Sequence, residues 1–233
     1  MVPRVPEVPG VPEVQVPGVL VLTATAIEAV LLQSSRVSVL LTGIGAVNTA
    51  YALTHYLATQ PRPSLVIQSG IAGAYVPAGV PVGAVVLADT EIYGDLGVLT
   101  PAGWRPAEEI GIPLVEARGS HPPRFNYFPL DPDLVARAAR VCGSSVARTG
   151  PFLTLSQVTG VRTLGDALHE RFGALCESME GAAAAHVCAL HDVPFLEVRG
   201  ISNLIEDRNR ASWRIKEAAE AAQTVALCLA ENI

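Results

Sequence analysis

From Val19 to the carboxyl terminus, short apolar runs alternate with stretches of helical period, and that alternation confines the chain to a layered α/β domain. Val19–Thr23, Val37–Leu41, Leu65–Gln68, Val82–Ala88, Pro151–Val158 and Pro194–Arg199 read as strands. Between them, Ala26–Gln33 resembles a helix start. Ala46–Leu57 has helical period, with Val47, Ala50, Tyr51, Thr54 and Leu57 on one face. Asp131–Cys142 reads as a helix capped by Asp131 with Pro132 at its first position. Thr163–Phe172, the Ala-rich Gly181–Leu190 and an amphipathic Ser212–Ala230 complete the helical set. No internal repeat or change of composition marks a boundary, so residues 19–233 read as one domain. Residues 1–18, punctuated by Pro3, Pro6, Pro9, Pro12 and Pro17, read as an extended arm rather than a signal segment.

Composition narrows the function classes. Half of the residues are hydrophobic and 16% are charged, which favours further burial against copies of the chain, at least a dimer. A net charge of −6 offers no basic stripe for nucleic acid, and Glu28 interrupts the most apolar early segment before it reaches membrane-spanning length. Cys142, Cys176, Cys188 and Cys228 show no metal-ligand spacing and read as reduced thiols of a cytoplasmic protein. His186 and His191 stand five apart, a spacing that does not put a zinc pair on one helix face.

Candidate chemistry gathers where strands end, because ligands of open α/β sheets bind beside the carboxyl ends of strands. At Cys176-Glu177-Ser178-Met179-Glu180 an apolar run gives way to a helix with Glu180 at the junction. Phe195–Arg199 runs into Gly200-Ile201-Ser202-Asn203. Gly43-Ile44-Gly45 and Gly70-Ile71-Ala72-Gly73 follow strands and read as turns where a ligand approaches the backbone or as plain strand-to-helix turns. A dinucleotide fingerprint is rejected, since Gly43-Ile44-Gly45 follows the second strand and leads to Asn48 instead of a third glycine. Glu28, alone among apolar neighbours, is either on a solvated helix face or a carboxylate held in a pocket as a general base.

In this order, Glu28, Thr42–Gly45, Gly70–Gly73, Ser178-Met179-Glu180 and Val198-Arg199-Gly200-Ile201-Ser202-Asn203 resemble the purine nucleoside phosphorylase and nucleosidase superfamily. The resemblance covers about residues 19–230 and is nearest to the hydrolase branch, which includes methylthioadenosine/S-adenosylhomocysteine nucleosidase and futalosine hydrolase. It implies a three-layer α/β fold with a central mixed, twisted sheet flanked by helices. It also implies hydrolysis of a nucleoside N-glycosidic bond without metal or organic cofactor. By the same resemblance Glu28 activates water, Met179 and Glu180 hold the ribose, and Asn203 meets the purine at N7. Gly70, Ile71, Ala72 and Gly73 lie under sugar and base, with Gln157 and Val158 beside the base and Ser178 and Arg199 in the substrate site.

Two departures discriminate within the branch. Adenine nucleosidases carry Asp at the position of Asn203; an amide there can donate to N7 or O6 and so favours a 6-oxopurine. Ile71 stands where methylthioadenosine nucleosidases show Ser beside the catalytic water, leaving that water to Glu28, Arg199 or the backbone. Both departures resemble futalosine hydrolase, whose substrate is an inosine-like nucleoside with a benzoate-bearing 5′ extension and whose reaction lies on a route to menaquinone. Residues 90–130 read as a loop-rich stretch with Tyr93, Trp104, Phe125, Tyr127 and Phe128 available to a pocket; within it the loop 120–128 offers apolar surface for such a ring, and Arg124 a partner for its carboxylate. The alternatives are a methylthioadenosine nucleosidase, a phosphate-dependent phosphorylase, and a nucleoside-binding protein without catalysis.

Overall fold

The structure, a computed structural model, describes residues 18–35, 37–119 and 122–233. The expected arm therefore lies, apart from Gly18, outside the described residues. Ten strands and five α-helices follow in chain order: β1 (Val19–Thr23), β2 (Ser38–Leu41), α1 (Ala46–Thr59), β3 (Leu65–Tyr75), β4 (Val85–Tyr93), β5 (Gly97–Thr100), β6 (Gly103–Pro106), β7 (Tyr127–Pro129), α2 (Pro132–Cys142), β8 (Arg148–Thr154), α3 (Arg162–Phe172), β9 (Cys176–Ser178), α4 (Gly181–Leu190), β10 (Phe195–Ile205) and α5 (Ile215–Asn232). Eight strands form one mixed sheet, while β5 and β6 make a separate hairpin. Because β10 pairs both β4 and β3, the strands β3, β10, β4, β8 and β9 close into a ring. The mixed α/β fold with helices around a central sheet is as expected.

Apolar side chains from both sides of the sheet make the cores. Val21, Ile67, Leu87, Leu196 and Val198 pack beneath α2 and α5. Leu20, Leu22, Leu53, Val66 and Phe195 pack with Ala184, Ala185 and Cys188 of α4. The small residues of α4 are nearly all buried, which explains why that helix is uniformly apolar instead of striped.

Four readings need correction. Gly70-Ile71-Ala72-Gly73 is no turn: β3 runs straight through it and pairs in parallel with β10 from Val66 to Tyr75. Pairing along a full neighbouring strand overrides the local turn tendency of glycine. In α1, Thr49 and Leu53 face the core, whereas Val47 and Tyr51 are 83% and 73% exposed. The apolar face read from the period thus points largely away from the core. Ala26–Gln33 forms two short 3₁₀ turns, not an α-helix. The loop-rich stretch begins later than expected, because β4 continues to Tyr93 and buries Glu91.

Candidate active site

Backbone pairing assembles the site. Parallel register sets Arg199 opposite Gly70 and Gly200 opposite Ile71, and a bulge between Ile201 and Asn203 shifts the register there. A Cβ on Gly70 would stand 2.7 Å from Glu28 Oε1 and against the Arg199 guanidinium, so only glycine lets these two side chains meet over β3. The 3₁₀ turn Ala26–Glu28 just beyond β1 brings in Glu28, and the β9-to-α4 junction brings in Glu180.

Glu28 is buried, and every donor to it is local or backbone. Its Oε2 accepts from the Thr25 amide (2.9 Å) and the Thr25 hydroxyl (2.7 Å), and its Oε1 accepts from the Ile71 amide (3.0 Å). The backbone of Ile71 thus engages the carboxylate that its side chain cannot. Glu180 is also buried; Oε1 accepts from the Gly45 amide (3.0 Å), and Oε2 from Arg199 Nη2 (3.2 Å) and the Met179 amide (3.3 Å). Arg199, 1% exposed, further donates from Nε to Glu197 Oε1 (2.6 Å) and from Nη1 to the Ile71 carbonyl (3.1 Å). Burial opposes its charge, but the carboxylates of Glu197, Glu180 and Glu28 hold the guanidinium above its ordinary value. Asn203 is pinned by the Ser202 hydroxyl, which donates to Oδ1 (2.8 Å), while Nδ2 donates one N–H to the Leu204 carbonyl (3.1 Å). The amide keeps a second N–H.

These side chains share a cavity of about 440 Å³. Glu28, Ile71, Ala72, Gly73, Val158, Ser178, Met179, Glu180, Arg199 and Asn203 all line it. Gly70 lies behind the wall, beneath Arg199 and Glu28. Gln157 is not brought to the cavity: β8 ends at Thr154, and the following bend leaves Gln157 exposed while Val158 faces in. The loop offered for a 5′ extension is also elsewhere. Arg124 lies 5.8 Å over the Phe128 ring and lines a separate cavity of about 300 Å³, and Tyr93 and Phe128 pack around His186.

The sequence reading missed Glu177, Arg208, Trp213 and Ile215, which complete the wall. Glu177 accepts from the Thr159 amide (2.6 Å) and the Tyr75 hydroxyl (2.8 Å); burial raises its carboxyl against those lowering bonds. The Arg208 guanidinium lies 4.9 Å over the Trp213 ring in the 206–214 connection. A Trp in a polar, Arg-rich connection just past Asn203 was the available signal. The cavity combines buried carboxylates, an amide donor and apolar and aromatic side chains, a set suited to a polar ring system carrying a cation-forming centre.

Comparison with known proteins gives the family and the fold. The sequence model described as the Phosphorylase superfamily matches residues 3–232. The chain is 42% identical over 195 residues to the futalosine hydrolase of Thermus thermophilus, covering 82% of this chain and 80% of that one. It is 41% identical over 162 residues to the futalosine hydrolase of Streptomyces coelicolor, covering 69% and 63%. A 5'-methylthioadenosine/S-adenosylhomocysteine nucleosidase of Mycobacterium bovis is 30% identical over 189 residues, covering 74% and 71%. Among solved structures, the 5'-methylthioadenosine/S-adenosylhomocysteine nucleosidase of Neisseria meningitidis superposes with a TM-score of 0.77 at 20% identity, covering 94% and 100%, which establishes the shared fold. The chain belongs to the phosphorylase superfamily.

Proposed function

We propose that this protein is a nucleosidase that hydrolyses the N-glycosidic bond of futalosine, releasing hypoxanthine and dehypoxanthine futalosine on the futalosine route of menaquinone biosynthesis. The observation that carries the reading is the convergence of Glu28, Glu180 and Asn203 on one cavity, in a chain 42% identical to a futalosine hydrolase.

Breaking a ribose–purine bond builds positive charge on the sugar and negative charge on the departing base. Glu28 holds a water and takes its proton as the oxygen attacks C1′; donors from Thr25 and Ile71 fix that carboxylate in place. Glu180 accepts from the ribose hydroxyls and favours the cationic sugar. The remaining Asn203 N–H donates to N7 or O6 of the base, while the Ser202 hydroxyl keeps Oδ1 from facing a 6-oxo group. Water is favoured over phosphate as nucleophile because Arg199 is already committed to Glu197, Glu180 and a carbonyl, leaving carboxylates at the sugar end.

Purified protein incubated with futalosine in phosphate-free buffer should release hypoxanthine. Strict dependence on phosphate, or faster release of adenine from methylthioadenosine, would overturn the assignment. The working form is a homo-oligomer in the cytoplasm, supported by the exposed apolar row Leu41, Ile44, Val47 and Tyr51 and by free cysteines. Among the described residues no helix is long and apolar enough to cross a membrane.

A further inference from the structure

Behind the cavity wall lie two more carboxyl groups that the reaction itself does not use. Glu91 of β4 and Glu197 of β10 are both 0% exposed. Glu197 Oε1 receives Arg199 Nε, but among the described residues Glu197 Oε2 and both oxygens of Glu91 have no other donor. A Cβ on Gly181 would overlap Glu91 Oε2 and Glu197 Oε2 together, which puts these two oxygens side by side at the first turn of α4. Two ionised carboxylates cannot share such a dry site, and unpaired buried oxygens are costly.

We propose that Glu91 is a neutral carboxylic acid that donates its proton to Glu197, and that this pair positions Arg199 and, through it, Glu180. Glu91 and Glu197 are positioning residues. The proton makes Glu91 the missing donor to Glu197 Oε2. It also leaves a single negative charge on the pair, opposite the single guanidinium. Burial first, and then the Glu197 charge, drives the Glu91 carboxyl well above the ordinary carboxylate range, while Arg199 partly offsets this. Burial raises the Glu197 carboxyl as well, but the Arg199 guanidinium and its hydrogen bond offset more of that rise there than at Glu91, so the proton resides on Glu91. The other groups around the pair are Asp89 and Tyr93 on β4, Cys176 on β9 and Glu180 at the start of α4, with Glu177 beyond Cys176 and His186 beyond Tyr93; from β7 and β8 the residues opposite Glu91 are Phe128 and Phe152. Arg199 is the cation among them.

The proton-sharing half of this inference is tested without substrate. Infrared spectra of the intact protein at neutral pH should show a protonated-carboxyl stretch that disappears in Glu91→Gln. Persistence of the full band in that variant overturns the proposal. Denaturant unfolding of both proteins from about pH 5.5 to about pH 8.5 supplies a second reading. The folded protein keeps a proton that an unfolded Glu releases, so rising pH destabilises the unmodified protein relative to Glu91→Gln, by up to about tenfold in the unfolding constant per pH unit. A ratio that does not change with pH overturns the proposal.

The positioning half rests on the hydrolase reading. Glu197→Gln and Glu91→Leu should each raise KM for futalosine about tenfold, with a smaller fall in kcat, as expected for loss of a charge-assisted bond. Glu91→Gln, whose amide can still donate to Glu197, should restore KM. An unchanged KM in Glu197→Gln overturns this half. Should Glu197→Gln and Glu91→Leu fail to fold, KM of Glu91→Gln decides: a rise equal to that of an Arg199→Lys control overturns positioning, and a value near that of the unmodified protein supports it. Absence of any turnover by the unmodified protein would count against the hydrolase reading and leave the spectroscopic and unfolding results in force.

Discussion

Glu28 and Asn203 are each held by neighbours that leave one function open, and that makes them informative to change. In Glu28 the Thr25 and Ile71 donors orient the carboxylate but cannot replace its basicity. Glu28→Gln is expected to lower kcat about 10²- to 10⁴-fold with little effect on KM, measured by steady-state hypoxanthine release. At Asn203 the change to Asp replaces an amide N–H donor with a carboxyl group, which suits a 6-amino base. Asn203→Asp should shift the kcat/KM ratio of inosine-type to adenosine-type substrates about a hundredfold toward adenine, as paired assays would show. These positions were legible because each is a polar residue set at the end of an apolar run. Arg199 was legible too, but its three acceptors were not: Ile71 and Glu180 come from other elements and meet it only through folding, and Glu197, two residues earlier on the same strand, carries no local sign of the pairing. Arg208 and Trp213 escaped because their signal, a Trp among arginines in a polar connection, does not by itself say which cavity the connection will line.

Elements whose ends carry their own chemical signals were readable to the residue. β1 spans Val19–Thr23 and α4 spans Gly181–Leu190, as the sequence indicates. α2 begins at Pro132 behind Asp131, whose carboxylate accepts from the Asp133 and Leu134 amides at 2.9 and 3.3 Å. Asp131→Ala should therefore cost about 1 kcal/mol, visible as a shift of the urea midpoint with unchanged slope. The extension of β3 through Gly70–Gly73 and of β10 to Ile205 was not legible, because each depends on the other strand. Glycine signals a turn to its sequence neighbours, yet here it serves a long-range fit beneath Arg199 and Glu28. The outward face of α1 teaches a related lesson: helical period shows which residues share a face, not what that face will meet.

At the scale of the whole molecule, Leu41, Ile44, Val47 and Tyr51 place exposed apolar surface on α1 and the connection before it, and Ile44 also lines the cavity. A homo-oligomer that covers this row would explain the low charge of the chain. Val47→Glu is expected to lower the sedimentation coefficient to that of a single chain, with the circular dichroism spectrum retained. The closed ring of strands has a consequence of another kind. Arg199 and Asn203 on β10 and Ile71 on β3 are carried by the two longest strands, whose partners on both sides leave them little freedom to drift. Another part of the wall, by contrast, comes from the short 206–214 excursion carrying Arg208 and Trp213. Under the proposed hydrolysis, grafting that excursion from a relative should retune which nucleoside enters while leaving bond cleavage intact.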